Sequence, residues 1–468
     1  MASGDISYSF RQGMYFIDQP SFWKELAKSP EYFARPGVAE KSMRDLANKP
    51  LFRLLSKHGM AFTEIHGPWQ MAEESMYGRG KAEKIPGIGK MVEASNAAFT
   101  AAANNHRYET GVSLIQTLES MGVNVRHNPN ILRALCTLVN AGTGRSSLGR
   151  ASQAGAFLNG AIFSPRFAWS RLQILNPLFY QKLHRQSPEV ASLALDQTLK
   201  FFSIATMITS LFDMAGADVE KDPTSADFGK ARFGNTSLDF FAGFLPMLRT
   251  PASIFLGRTT SSTTGKVRFT GDFNADTPLD LIENLAKNKA APLPSLLMRV
   301  LSGKNPDRTP IKLEDYLLRE IPQRLIPMAI QDTWEIMKDD PKKFYLALPA
   351  FLGVGTQTYK RDPNRKINKA DSIWRRDLRL ATQKAQELVR QNRVGEARAS
   401  LSAYNGQMIK NFQRVAVELG LQPNHFIELP IYKDFTLTEK EITRILRGAM
   451  ADQKQETKRL EKYGIISQ

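Results

Sequence analysis

The sequence predicts a mainly α-helical, multi-domain protein, and three observations carry that prediction. Apolar residues recur at three- and four-residue spacing through long segments, as at Val112, Ile115, Leu118 and Met121. Proline stands where helices would open, at Pro129, Pro188 and Pro278, positions that need no backbone N–H. The last third of the chain mixes apolar and charged residues with a helical period.

Taken in order, an Ala-rich helix is expected over Val92–Met121. Asn128 caps a second one, which opens at Pro129 and runs to about Val139, stopping before Ala141-Gly-Thr-Gly144. A further helix is expected from about Ser147 to Phe163, ended by Ser164-Pro165. Pro188 starts the helix that becomes Phe201–Phe212, an apolar run read as a buried core segment. From Gly216 to Gly271 Gly, Thr, Ser and Phe become frequent. This irregular segment is expected to hold a short strand or extended arm within Ser261–Phe269. Short helices follow at Leu279–Asn288, Ser295–Leu301, Leu313–Arg319 and Ile326–Lys338. Ile373–Gln391 reads as a charged amphipathic helix, and Gly395–Leu401 as the short second arm of an αα-hairpin. Thr436-Leu-Thr-Glu439 has the capping-box pattern that would open a helix from about Glu439 to Tyr463.

At 468 residues the chain has room for two to four domains. Four segments are expected: an N-terminal arm and helices over 1–90, a helical core over 91–215, the irregular stretch within 216–358, and a basic helical domain over 359–468. Sixty-three Lys and Arg against forty-six Asp and Glu leave a net charge of +17, which favours contact with a polyanion through a long-range field. The single cysteine, Cys136, excludes an intramolecular disulfide and any multi-cysteine metal site, and its apolar surroundings suit a small buried residue. The start, Met1-Ala-Ser-Gly-Asp-Ile, is polar and acidic, unlike a secretory signal. Phe201–Phe212 falls short of the roughly 20 apolar residues that span a bilayer, while Leu238–Leu248 and Phe344–Val354 are broken by Gly and Pro. Transient membrane contact by these apolar pieces remains an expectation.

Signatures of catalysis are not found. The six histidines, His58, His66, His106, His127, His184 and His425, show no i, i+4 pair with an adjacent Glu. The loop Gly257–Lys266 resembles a phosphate-binding turn, yet Thr260 stands where that turn needs Gly and Val267 where it needs Ser or Thr. Ala141-Gly-Thr-Gly-Arg145 follows a helix, not a strand, which removes the dinucleotide reading. There is no Gly-x-Ser-x-Gly elbow. No catalytic, cofactor or metal residue is assigned, and the chain is expected to bind rather than to catalyse.

The positive signal is basic. From Lys360 to Arg414 fourteen Lys and Arg face five Asp and Glu. The candidate nucleic-acid-binding residues are Arg361, Arg365, Lys366, Lys369, Trp374, Arg375, Arg376 and Arg379, the indole either stacking on bases or packing inward. A second candidate is Ser164–Arg171, where Arg166 and Arg171 flank aromatics and burial of Phe167 and Trp169 is the favoured reading.

Several segments together resemble a module of bacteriophage large polyvalent proteins related to internal virion components. They are Gly4-Asp-Ile-Ser7 with Phe10-Arg-Gln-Gly13, then Ile162-Phe-Ser-Pro-Arg166 with Arg171. Next come Phe233-Gly-Asn-Thr236 with Asp239 and Gly243, and Ser262-Thr-Thr-Gly-Lys266. Ala290-Ala-Pro-Leu-Pro294 and Leu301-Ser-Gly-Lys304 complete the set, which spans residues 4–340 in the family's order. The resemblance makes 216–358 the polyvalent-type module. It implies an internal virion or ejection protein that sits in the capsid or tail conduit and is delivered to the host with the genome. Its partners would be the DNA backbone, other virion proteins and copies of itself. The family supplies no catalytic residues. An accessory protein that binds nucleic acid inside the host cell is the competing expectation.

Overall fold

A computed structural model describes residues 8–63, 89–148, 164–271, 276–288, 328–362, 364–418 and 435–462. Among these residues the protein is mainly α-helical, with sixteen helices and six short strands in two small sheets. The chain divides into two compact units: Met1–Gly257 with Thr277–Lys360, and Arg258–Asp276 with Arg361–Gln468. The segments expected over 1–90, 91–215 and 216–358 therefore contribute to one unit, not three. The stretch 258–276 leaves its sequence neighbours and joins the basic C-terminal unit.

The larger unit opens with α1 (Tyr8–Arg11) and a 3-10 turn, Gly13–Phe16, followed by α2 (Pro20–Ala34), α3 (Pro36–Ala47) and α4 (Phe52–Lys57). Helix α5 (Gly89–Ser120) is the axis against which α2 and α3 pack. Its run of buried Ala97, Ala98, Ala101, Ala102 and Ala103 presents little side chain, which lets neighbouring backbones come close. Next are α6 (Pro129–Gly142), α7 (Pro165–Leu175), α8 (Pro177–Gln186) and α9 (Pro188–Met214). The Asn128 side chain accepts hydrogen bonds from the N–H groups of Asn130 and Ile131, which caps α6 as its sequence predicts. The last residue of α6 is Gly142, where a Cβ would overlap the rings of Tyr15 and Phe16. Strands β1 (Asp218–Val219), β2 (Ala231–Phe233) and β3 (Thr236–Asp239) form an antiparallel sheet, with α10 (Leu245–Leu256) after it.

After α10 the chain makes a hairpin, β4 (Arg258–Thr260) and β5 (Val267–Phe269), that belongs to the smaller unit. It returns through α11 (Pro278–Asn288), α12 (Met328–Asp339), a 3-10 turn and α13 (Ala347–Phe351) to β6 (Gly355–Thr358), which pairs antiparallel with β3. The helices expected at Ser295–Leu301 and Leu313–Arg319, most of that from Ser147 to Phe163, and the segments Gly4–Ser7, Ile162–Phe163, Ala290–Pro294 and Leu301–Lys304 lie outside the described residues.

Two arginines are fully enclosed in the larger unit. The Arg171 guanidinium donates to the carbonyls of Ala242 (2.9 Å), Gly142 (3.2 Å), Arg11 (3.1 Å) and Gln12 (3.5 Å), and lies against the rings of Phe167 and Phe244. Arg107 donates to Thr143 Oγ1 (3.0 Å), the Ala61 carbonyl (3.2 Å) and the Thr143 carbonyl (3.4 Å). Burial pulls the Arg171 pKa down to about 9, with the nearby Tyr15 and Tyr8 opposing that fall. Each clamp ties together chain segments far apart in sequence by satisfying carbonyls that would otherwise be stranded.

Helix α9 corrects one expectation. Its apolar run is not enclosed all round: Phe201, Ala205 and Thr209 face the core, whereas Met207 and Leu211 are more than half exposed and Met214 is 85% exposed. A continuous apolar stretch carries no periodic cue to say which side is covered.

The smaller unit is built from α14 (Arg365–Arg390), α15 (Val394–Glu418) and α16 (Glu439–Lys462), with the β4–β5 hairpin. Asn392, at φ 61°, turns the chain between α14 and α15; Asn tolerates this left-handed conformation better than most residues. Helix α15 is far longer than the Gly395–Leu401 arm expected, because Leu401, Met408 and Phe412 continue one buried face through Gly406. The capping box sits two residues later than expected. Asn405 holds Leu437 extended through both its N–H (2.8 Å) and its carbonyl (2.6 Å). Thr438 and Glu441 then cap α16 reciprocally, at 2.7 and 3.3 Å.

Candidate nucleic-acid interface

Helix α14 has two opposite faces. Ala370, Trp374, Ala385 and Val389 are buried and pack on α15 and α16 residues, forming two small cores. Arg365, Lys369, Arg376 and Arg379 recur at offsets of four, seven and three, so they share one helical stripe on the other side. Lys366, Arg375 and Arg379 are exposed, while Arg361, Arg365, Lys369 and Arg376 are half-buried.

Trp374 corrects the aromatic part of the candidate set. It is 2% exposed, with ring centroids 4.1 Å from Phe412 and 5.7 Å from Phe435. The indole is core and offers no face to a base. The four-residue step from Ala370 places it on the apolar side of the helix.

The hairpin is docked at the start of α14. Asp362 N–H donates to the Thr263 carbonyl (2.9 Å), and Asn368 Nδ2 donates to the Thr264 carbonyl (2.9 Å). Gly265, at φ +74°, passes so close that a Cβ would overlap the Arg365 carbonyl oxygen. Docking brings Phe269 beneath the arginines, and a cleft of about 570 Å³ opens between Val267, Phe269, Phe435 and Asp371, Arg375, Arg376 and Arg379. The Arg376 guanidinium lies over the Phe269 ring at 4.0 Å, and that of Arg375 over Phe435 at 5.3 Å. Arg375 also forms a two-pronged pair with Asp371, at 3.0 and 2.9 Å. Nearby, desolvation raises the Asp377 carboxyl above its usual pKa, against the lowering effect of Arg376.

The structure thus gathers Arg375, Arg376 and Arg379 around one cleft, with Arg365, Lys366 and Lys369 further toward the start of the same helix. Phe269 and Phe435 were not singled out by sequence; no local pattern places residues more than a hundred positions upstream, or beyond two helices, against α14.

The second candidate resolves differently. Within Ser164–Arg171 it is Arg171 that is enclosed, at 1% exposure, whereas Phe167 is half-buried and Trp169 is 45% exposed. The expected burial of Trp169 is therefore wrong. The larger unit has its own cleft of about 580 Å³, where Arg11, Lys230 and Arg249 meet Asp239. Lys230 there is bonded to Asp227 (3.3 Å) and Gln357 (2.7 Å).

Among the described residues no three His, Cys, Asp or Glu side chains gather as a metal would need, and no helix is long and apolar enough to cross a membrane. His66 and His425 lie outside those residues. Compared with known proteins, the chain matches no family model, no curated protein and no solved structure.

Proposed function

We propose that the protein is a nucleic-acid-contacting structural component of a bacteriophage particle, an internal virion or ejection protein. The observation that supports the binding role is the cationic stripe of α14, whose opposite face is committed to the core of its own unit. Cations gathered on one helix face, with Lys366, Arg375 and Arg379 exposed, set up a positive field that attracts phosphate oxygens. The particle assignment rests on the ordered resemblance of residues 4–340 to the polyvalent module. Three of its pieces meet at Arg171, which bonds the Arg11 and Gln12 carbonyls and that of Ala242 beside Gly243. In this reading the chain assembles with sibling subunits and other virion proteins, lies beside the genome in the capsid or tail conduit, and performs no catalysis.

Binding of the full chain to a 20-base-pair duplex, followed by fluorescence polarisation across a salt series, tests the binding role. An affinity that falls with a logarithmic salt slope of roughly −3.5 to −5.5 is expected for about four to six phosphate contacts. A slope near zero contradicts it. Quantitative mass spectrometry of purified particles tests the placement: several copies per particle support it. DNA binding without virion copies would instead favour an accessory protein acting inside the host cell.

A further inference from the structure

We infer that the α14 cleft holds nucleic acid by its phosphodiester backbone through arginine alone, leaving the bases unstacked and unread. The inference rests on the binding role proposed above and specifies its ligand chemistry. Proteins that grip single strands typically do so with exposed rings on which bases lie. The described aromatic side chains of this unit are withdrawn from that task. Phe269 is 6% exposed, Trp374 2%, Phe435 1% and Phe412 0%. Tyr404 is half-buried, and its hydroxyl donates to the Phe435 carbonyl. The rings at the cleft serve the arginines instead. Phe269 supports Arg376 at 4.0 Å, and Phe435 supports Arg375 at 5.3 Å.

A guanidinium held against a ring by one flat face still has the edges of its planar fork with which to meet an anion in the cleft. Asp371 fixes Arg375 further by taking two of its N–H groups, a pairing that offsets the charge of both. Arg379 completes the cationic rim. The ligand that suits such a site is a doubly hydrogen-bonding, tetrahedral anion on a continuous chain. Strand number and base identity then matter little, since among the described residues the rings of this unit are turned to the core or to the arginines. Lysine would not replace arginine here, because an ammonium lacks both the fork and the flat face.

The test uses the full chain and three probes of equal phosphate number per strand: a mixed-sequence single strand, the same length of abasic single strand, and a duplex. Polarisation titrations at one salt concentration should place the abasic and base-bearing single strands within about threefold of one another. The triple substitution Arg375→Gln, Arg376→Gln, Arg379→Gln should weaken all three probes about tenfold or more. Arg376→Lys, which keeps the charge and disturbs the fold less, should still weaken them about threefold. A base-bearing strand that wins over the abasic one by more than about fivefold overturns the inference, since one stacked base alone is worth roughly that much or more; the binding role would survive. Absence of binding to every probe at low salt, or unchanged binding by the triple variant with an unaltered circular dichroism spectrum, overturns both.

Discussion

The two units carry nearly the same net charge in very different amounts of chain. The larger has 39 Lys and Arg against 31 Asp and Glu over 341 residues, and the smaller 24 against 15 over 127. The contrast in what arginine does is sharper than that in density. In the larger unit Arg107 and Arg171 are sealed inside and spend their N–H groups largely on backbone carbonyls. In the smaller unit Arg375 has 66% of its side chain exposed, and aromatic rings support the guanidiniums from below. A cation enclosed by carbonyls is part of the scaffold; one braced from beneath with its far side open is suited to meet an anion. The difference shows that net charge alone does not locate a binding surface.

The largest expected effect breaks the scaffold side of this contrast. Arg171→Met should cost roughly 3–5 kcal/mol in urea unfolding, because it leaves four carbonyls without donors. DNA affinity of the molecules that remain folded should change less than about twofold. Stability within about 1 kcal/mol of the parent would remove Arg171 as a clamp. Next, Trp374→Ala should cost about 3 kcal/mol or more through the cavity it leaves beside Phe412 and Phe435. Were Trp374 a stacking residue, the same substitution would lower DNA affinity and leave the melting temperature in place.

A smaller effect sharpens the contrast through pH, and it belongs to the larger unit. Burial raises the Glu25 carboxyl to about 7, with Lys28 and a hydrogen bond from Tyr32 opposing that rise. The folded state therefore holds the proton more tightly than the unfolded chain, and this contribution is lost as pH climbs from about 4.5 through 7. Burial, aided by Arg107, lowers His106 to about 3, so its contribution is present above 6.5 and lost as pH falls toward 3. Glu25→Gln should accordingly stabilise the protein by roughly 2 kcal/mol at pH 8 and by much less at pH 5, as read by urea unfolding. Equal gains at both pH values would mean that the Glu25 carboxyl titrates normally.

Much of the helical framework was legible because its cues are local. Asn128-Pro129 caps α6, Pro188 opens α9 and Pro278 opens α11, each where the residue type alone favours a start. The hairpin strand was also foreseeable from Val267-Arg-Phe269. What could not be read was partnership. Nothing near Gly265 says that its turn must slide under the Arg365 carbonyl, and nothing near Phe269 says that it will underlie Arg376. The cationic stripe itself was within reach, since offsets of four, seven and three from Arg365 follow from helical periodicity once α14 is allowed to start eight residues earlier than Ile373. Trp374 is assigned by that same wheel, which puts it with Ala370 and Ala385.

Arginine modification by phenylglyoxal, mapped by mass spectrometry on the native full chain with and without duplex DNA, addresses the contrast most directly. Arg375 and Arg379 should react in the free protein and be shielded by DNA, while Arg107 and Arg171 stay unreactive in both states. Ready modification of Arg171 in the folded chain, or reaction at Arg375 and Arg379 that saturating DNA leaves unchanged, would contradict the account.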